Sequence, residues 1–176
     1  MANNHGYVST TSCEAWDVDS LNRCGVYATA NLDNGVMVTC GAITKDSANG
    51  ITGYQFAVAP ATATSEHCWI VNTPEVGSDI EMQLMSDPRY FYNKAGEPMS
   101  IKYLKPYVDC IEVDANAFAA GALPTTQGYV VITTGGKFAP AASAPQSGTY
   151  FSVLGFKDNA VGGDKMKVVV LQCERN

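Results

Sequence analysis

"YFSVLGFKDNAVGGDKMKVVVLQC", residues 150–173, decides the fold class. Its first seven residues alternate in polarity, as a strand with one wet face does, and "VVVL" at 168–171 is continuously apolar, as a core strand is. The two read as a closing strand pair joined across "KDNAVGGD". Working outward, "YVVITTGGKF" (129–138) is strand, Gly-Gly turn, strand, and a loop of small residues follows it from 139 to 148. Upstream, "SIKYLKPYVDCIEV" (100–113) reads as a long strand interrupted by Pro106, which belongs at an edge or a bulge. "SDPRYFYNKAGEPMS" (86–100) breaks the rhythm, with a helical turn opened by Asp87-Pro88 and a turn at Lys94-Ala95-Gly96.

Earlier still come "DIEMQLM" (79–85), "CWIVNTP" (68–74) and "ITGYQFAVAP" (51–60), all strand candidates. "GVYATANL", "DNG" and "VMVTCGAI" (25–43) read as a hairpin, with Gly35 where a positive φ is needed. "LDNGVMVTCGAI" and "TTQGYVVITTGGKF" share this polar-turn, Gly, strand grammar, which is generic to hairpins. No ten residues carry a sustained helical apolar stripe. The chain is therefore expected to be mainly β, an antiparallel sandwich or barrel, built as one large unit or as two small ones meeting near residues 111–116. The expected organisation is an extended N-terminal arm over 1–25, a β domain over 26–113, and a second β unit or a continuation of the same domain over 114–176.

Composition agrees with a folded, strand-rich chain. Of 176 residues 46% are hydrophobic and 16% charged, against about a quarter charged in an average domain. The net charge of −6 comes with 11 Lys and Arg that never form a run of three. A protein lying along nucleic acid needs clustered cations, so that class is excluded. Lys102 and Lys105 among the aromatics of "SIKYLKPY" fit a solvated strand edge better than a single-strand platform. "MANNHGYVST" is no secretory signal, and nowhere do about 18 apolar residues run together, so no membrane span is expected and the chain is expected to stay in a cytoplasm or to leave it by a route the sequence does not show.

That placement makes reduced thiols the expectation for Cys13, Cys24, Cys40, Cys68, Cys110 and Cys173, which contain no C-x-x-C pair. The last four lie in apolar runs and read as small buried hydrophobes, whereas Cys13 and Cys24 sit in a polar region and should be exposed.

Motifs for chemistry are missing. Of two histidines only His67 is placed to be held, and on a strand it would face away from Cys68. "DVD" at 17–19 is not completed into a calcium loop, and "TTGGKF" at 133–138 lacks the first Gly and the following Ser or Thr of a phosphate loop. No catalytic, metal or cofactor site is expected.

The first 25 residues lack a clean period, although Thr11 and Glu14 fit a capping box around a short helical turn near Ser12. Tyr7, Val8, Trp16, Val18 and Leu21 have no local core to enter, so this segment must lie against its own β domain or a partner chain. These five are the candidate partner-contact residues.

The order "LDNGVMVTCGAI", "DPRYFYNKAGEPMSIKYLKPYVDCIEV", "GYVVITTGGKF" and a small-residue turn before a terminal β pair resembles the head decoration or cement proteins of tailed bacteriophages. That resemblance, over residues 26–173, implies a β-rich, non-enzymatic protein on the outer face of the capsid, bound to the major capsid protein. It further implies a homo-oligomer, with a trimer favoured, made in the host bacterial cytoplasm, its acidic surface turned away from packaged DNA. The chain is longer than compact decoration proteins. A tail- or fibre-associated module recognising carbohydrate or a receptor through Tyr90, Tyr92, Tyr103 and Tyr107 is the alternative.

Overall fold

The structure, a computed structural model, describes residues 5–46, 50–75, 87–161 and 164–176. Among them eleven strands form two sheets, and the fold is mainly β, as the alternating and apolar runs require. In chain order the strands are β1 Val8–Ser12, β2 Asn22–Val26, β3 Met37–Asp46, β4 Gly50–Pro60, β5 Trp69–Val71, β6 Pro98–Tyr103, β7 Cys110–Val113, β8 Tyr129–Ile132, β9 Phe138–Ala141, β10 Tyr150–Val161 and β11 Asp164–Arg175. A six-stranded antiparallel sheet has the order β1-β7-β11-β10-β8-β9, and a closed five-stranded barrel the order β2-β4-β3-β5-β6. "DIEMQLM" lies outside the described residues.

The closing pair is the longest ladder, running from Tyr150↔Arg175 to Val161↔Asp164, so most of the residues read as its loop are paired strand. "YVVITTGGKF" is the β8–β9 hairpin, and Pro140 sits on edge strand β9, where its missing N–H does least harm.

Three expectations are overturned. The Asp33-Asn34-Gly35 segment is a turn, with Gly35 at φ +87°, but it closes no hairpin. Instead β2 pairs in parallel with β4 and antiparallel with β6, while β3 pairs with β4 and β5. The buried side chain of Asn34 explains the difference. Its Nδ2 donates to the Thr73 carbonyl at 2.9 Å and its Oδ1 accepts the Thr73 N–H at 3.0 Å, so the turn is tied to the chain after β5 rather than to β2. Second, "SIKYLKPYVDCIEV" is two strands in different sheets, β6 in the barrel and β7 in the open sheet, with Pro106 in the crossing turn.

Third, the described part of residues 1–25 is no extended arm. β1 is an edge strand with Val8 opposite Val113, and β2 is a barrel stave. The open sheet therefore combines residues 8–12 with 110–175, and the barrel uses 22–103, so strand membership does not divide at residues 25 and 113.

Two cores hold the sheets together. Val36, Val38, Val58, Trp69, Val71, Met99 and Ile101 fill the barrel. Met37, Cys68, Ile70 and Leu104 leave the other side of the barrel wall and join Val113, Val130, Phe138, Phe151, Val169 and Leu171 of the open sheet. Alternation along β3 and β5 sends neighbours into different cores, which is why "WIV" at 69–71 is buried throughout. The β8–β9 turn docks on the same wall. Gly136, at φ +73°, accepts the Met37 N–H at 2.8 Å, and a Cβ there would lie 2.1 Å from the Met37 carbonyl oxygen.

Candidate interaction surface

Where the chain crosses from β6 to β7 it makes a tight turn, with the Val108 and Asp109 amides both donating to the Lys105 carbonyl. Asp109, with no exposed surface, is the staple. Its carboxylate accepts the Lys105 N–H at 2.6 Å and, from the N-terminal region, the Glu14 N–H at 2.7 Å; its carbonyl accepts the Cys173 N–H at 2.9 Å. The expected helical turn after Ser12 is thus present as a 3-10 turn, Glu14–Trp16, but its first amide is capped by Asp109 instead of Thr11. Thr11 shares a hydrogen bond with Ser9. An ion pair of Lys105 with Glu14 at 2.8 Å spans the same two turns in partly open surroundings.

These turns carry exposed aromatics. Trp16 is 60% exposed, Tyr107 is 71% exposed, and Val108 beside it is also exposed. Tyr107 holds a left-handed backbone, φ +62°, which costs about 1 kcal/mol in a non-glycine residue. Its N–H is held by the Cys173 carbonyl at 2.7 Å. Beneath Trp16 the Lys102 ammonium lies 5.0 Å from the ring centroid and 3.1 Å from the Thr10 hydroxyl, which also accepts from Asn72 at 2.5 Å. Burial lowers the Lys102 pKa, and no carboxylate of the described residues is within ion-pair distance of it.

The five candidate contact residues are not brought together. Val8, 4% exposed, belongs to the main core. Tyr7 is half-buried, its N–H on Asp114 Oδ1 at 2.9 Å and its phenol pushed up by burial. Val18 and Leu21 are half-buried around the second 3-10 turn, Asp19–Leu21, whose approach is fixed by Asn22 donating to the Ala15 and Val18 carbonyls. Trp16 alone of the five projects. Sequence reasoning missed Val108 and Asp109; the signal available was Pro106 followed by an aspartate, a turn signature inside an apparent strand.

The tyrosines of the alternative reading do not share an exposed face. Tyr92 packs on His5 with ring centroids 5.1 Å apart, Tyr103 on Trp69 at 5.3 Å, and Tyr90 is half-buried beside Arg89, leaving Tyr107 open. His67 and Cys68 diverge, the imidazole exposed with Nδ1 3.4 Å from the Tyr103 hydroxyl, the thiol buried and raised by desolvation. "TTGGKF" spends its groups internally, with the Gly136 N–H on Ala61 and Thr133 carbonyls and Lys137 Nζ on the Asn116 carbonyl at 3.1 Å.

All six thiols are free. Cys13, expected outside, is buried in the main core; its Sγ donates to the Cys110 carbonyl, and burial pushes its pKa up to about 12. Cys24, Cys40 and Cys110 are half-buried, and Cys173 is buried with its pKa raised by desolvation.

Among the described residues no three His, Cys, Asp or Glu side chains cluster as metal ligands, and no helix is long and apolar enough to cross a membrane. Comparison with protein-family models, curated proteins and solved structures finds no match for the chain.

Proposed function

We propose that the chain is a non-enzymatic structural protein of a phage virion, covering the outer face of the capsid and contacting the major capsid protein or sister copies, as a trimer, through the Trp16–Tyr107–Val108 surface. The observation that carries this reading is the pair of aromatics held in solvent on turns stapled by a fully buried carboxylate. Aromatic side chains on a rigid support lose little conformational entropy on binding, and such anchors dominate interfaces. The capsid context rests on the resemblance in the order of strands and turns. Two packed cores supporting the turns suit a covering role.

The test is co-sedimentation with purified capsid shells that lack the protein, together with its own sedimentation velocity. Trp16→Ala should weaken association about tenfold or more, the loss of one aromatic anchor, with an unchanged melting temperature. Equal association of Trp16→Ala, Tyr107→Ala and the parent would rule out this surface, and failure of the parent to bind shells would rule out the capsid role.

A further inference from the structure

The β10–β11 hairpin outruns its neighbours. β8 pairs with β10 only over Tyr150, Phe151 and Ser152, the Val153 N–H is taken by the Gly128 carbonyl, and Gln127 Nε2 reaches the Leu154 carbonyl at 3.4 Å. From Gly155 to Val161 β10 pairs with β11 on one side, and no described residue hydrogen-bonds its backbone on the other. Every second residue there directs an N–H and a C=O away from β11. The hairpin is held in place by Asp164 on Arg89 at 2.6 Å, where Arg89 is also clasped by Asp87, and by Lys157 and Asn159 on Glu112. Beside the free edge lies a cleft of about 530 Å³ whose lining includes Leu123, Pro124, Phe156 and Asp158 together with Lys157 and Lys167. Phe156 and Leu154 are each roughly half exposed there, and a Cβ at Gly155 would touch nothing.

We propose that this edge is a strand-addition site for an extended segment of a different protein, with an apolar side chain against Phe156 and Leu123 and a Lys or Arg two positions away, opposite Asp158. Backbone groups give the affinity and alternate side chains the selectivity. The register places Phe156 and Asp158 on one face, across from Val169 and Lys167, so a guest strand meets an apolar and then an acidic neighbour at that spacing. Asp158 is exposed and has no ion-pair partner among the described residues. A second copy fits badly. Two-fold antiparallel pairing over the whole free edge, 155–161, is centred on Asp158 and sets two like carboxylates opposite each other; shifted by one residue the paired stretch shrinks to 155–159, with Lys157 opposite its own copy, or to 157–161, with Asn159 at the centre.

The probe is an end-capped nine-residue peptide of alternating Val and Thr with one Lys two positions from a Val, added at millimolar concentration to the full chain, with amide hydrogen exchange read over 155–161. The outward amides should exchange freely in the chain alone and slow by about tenfold or more with peptide, and Asp158→Lys should reverse the preference from the Lys peptide to its Glu counterpart. Protection already present in the isolated monomer, a dimer whose dissociation deprotects the edge, or no protection by the peptide would each overturn the proposal.

Discussion

Replacing Asp109 by Ala removes one carboxylate and leaves two backbone donors, Glu14 N–H and Lys105 N–H, in a place with no exposed surface. An amide donor left unsatisfied in such a site costs about 1–3 kcal/mol, and bonds to a charged acceptor lie at the upper end. Relief from burying the carboxylate offsets part of the sum, so the expected loss is about 3 kcal/mol. The accompanying Lys105–Glu14 pair, partly exposed, adds little. With a urea slope near 2 kcal/mol/M the unfolding midpoint should fall by about 1.5 M at unchanged slope. Asp109→Asn keeps one acceptor but turns an amide N–H toward the second donor, so it should fall between parent and Ala. Urea denaturation followed by tryptophan fluorescence and far-ultraviolet circular dichroism measures both variants. An Ala variant within about 0.5 kcal/mol of the parent would refute the claim that Asp109 ties the N-terminal turn to the sheet.

Gly136→Ala should be among the most damaging single changes, because its Cβ would lie 2.1 Å from the Met37 carbonyl oxygen at a backbone of φ +73°; thermal unfolding should show a loss of about 3 kcal/mol or more, whereas Gly135→Ala, also at positive φ but in open space, should lose only about 1. Cys13, with its thiol raised from 9.0 to about 12, should react with iodoacetamide at pH 8 on the order of a thousandfold more slowly than an unshifted thiol, until urea unfolds the chain; equal rates would place Cys13 outside the core. The same shift gives a pH dependence. The folded state keeps the proton that the unfolded chain releases above about pH 9, so the contribution is full below pH 9 and is lost as pH rises towards 12, and Cys13→Ala should flatten that decline in stability.

What could be read from the sequence was whatever is local. The closing hairpin announces itself because its two strands are neighbours in the chain and its second strand is apolar on both faces, and the β8–β9 pair does so through Gly135-Gly136. The partners of β2 were hidden, since one is a parallel strand and the other is about 75 residues away, and no turn chemistry records either pairing. Asp-Asn-Gly satisfied every local criterion for a hairpin, yet Asn34 spends its side chain on Thr73, a long-range bond invisible to pattern. The polar look of residues 1–25 misled in the same way. Val8 and Cys13 are isolated apolar residues in a polar stretch because β1 offers only one face to the core and the 3-10 turn only its inner side.

The double use of β3 and β5 ties these points to function. A strand with one wet face belongs to one core, but Met37 and Val38, or Ile70 and Val71, are adjacent residues in different cores, so the barrel wall is also the floor of the open sheet. Loosening either core disturbs the other through the same backbone. The Lys105–Asp109 turn is where the chain leaves that shared wall for the sheet, and it is anchored there to Cys173 of β11 as well as to Glu14. An aromatic placed on such a turn is supported by both cores at once. Tyr107, on that turn, and Trp16, on the 3-10 turn that Asp109 ties to it, are therefore poor candidates for residues exposed by local looseness.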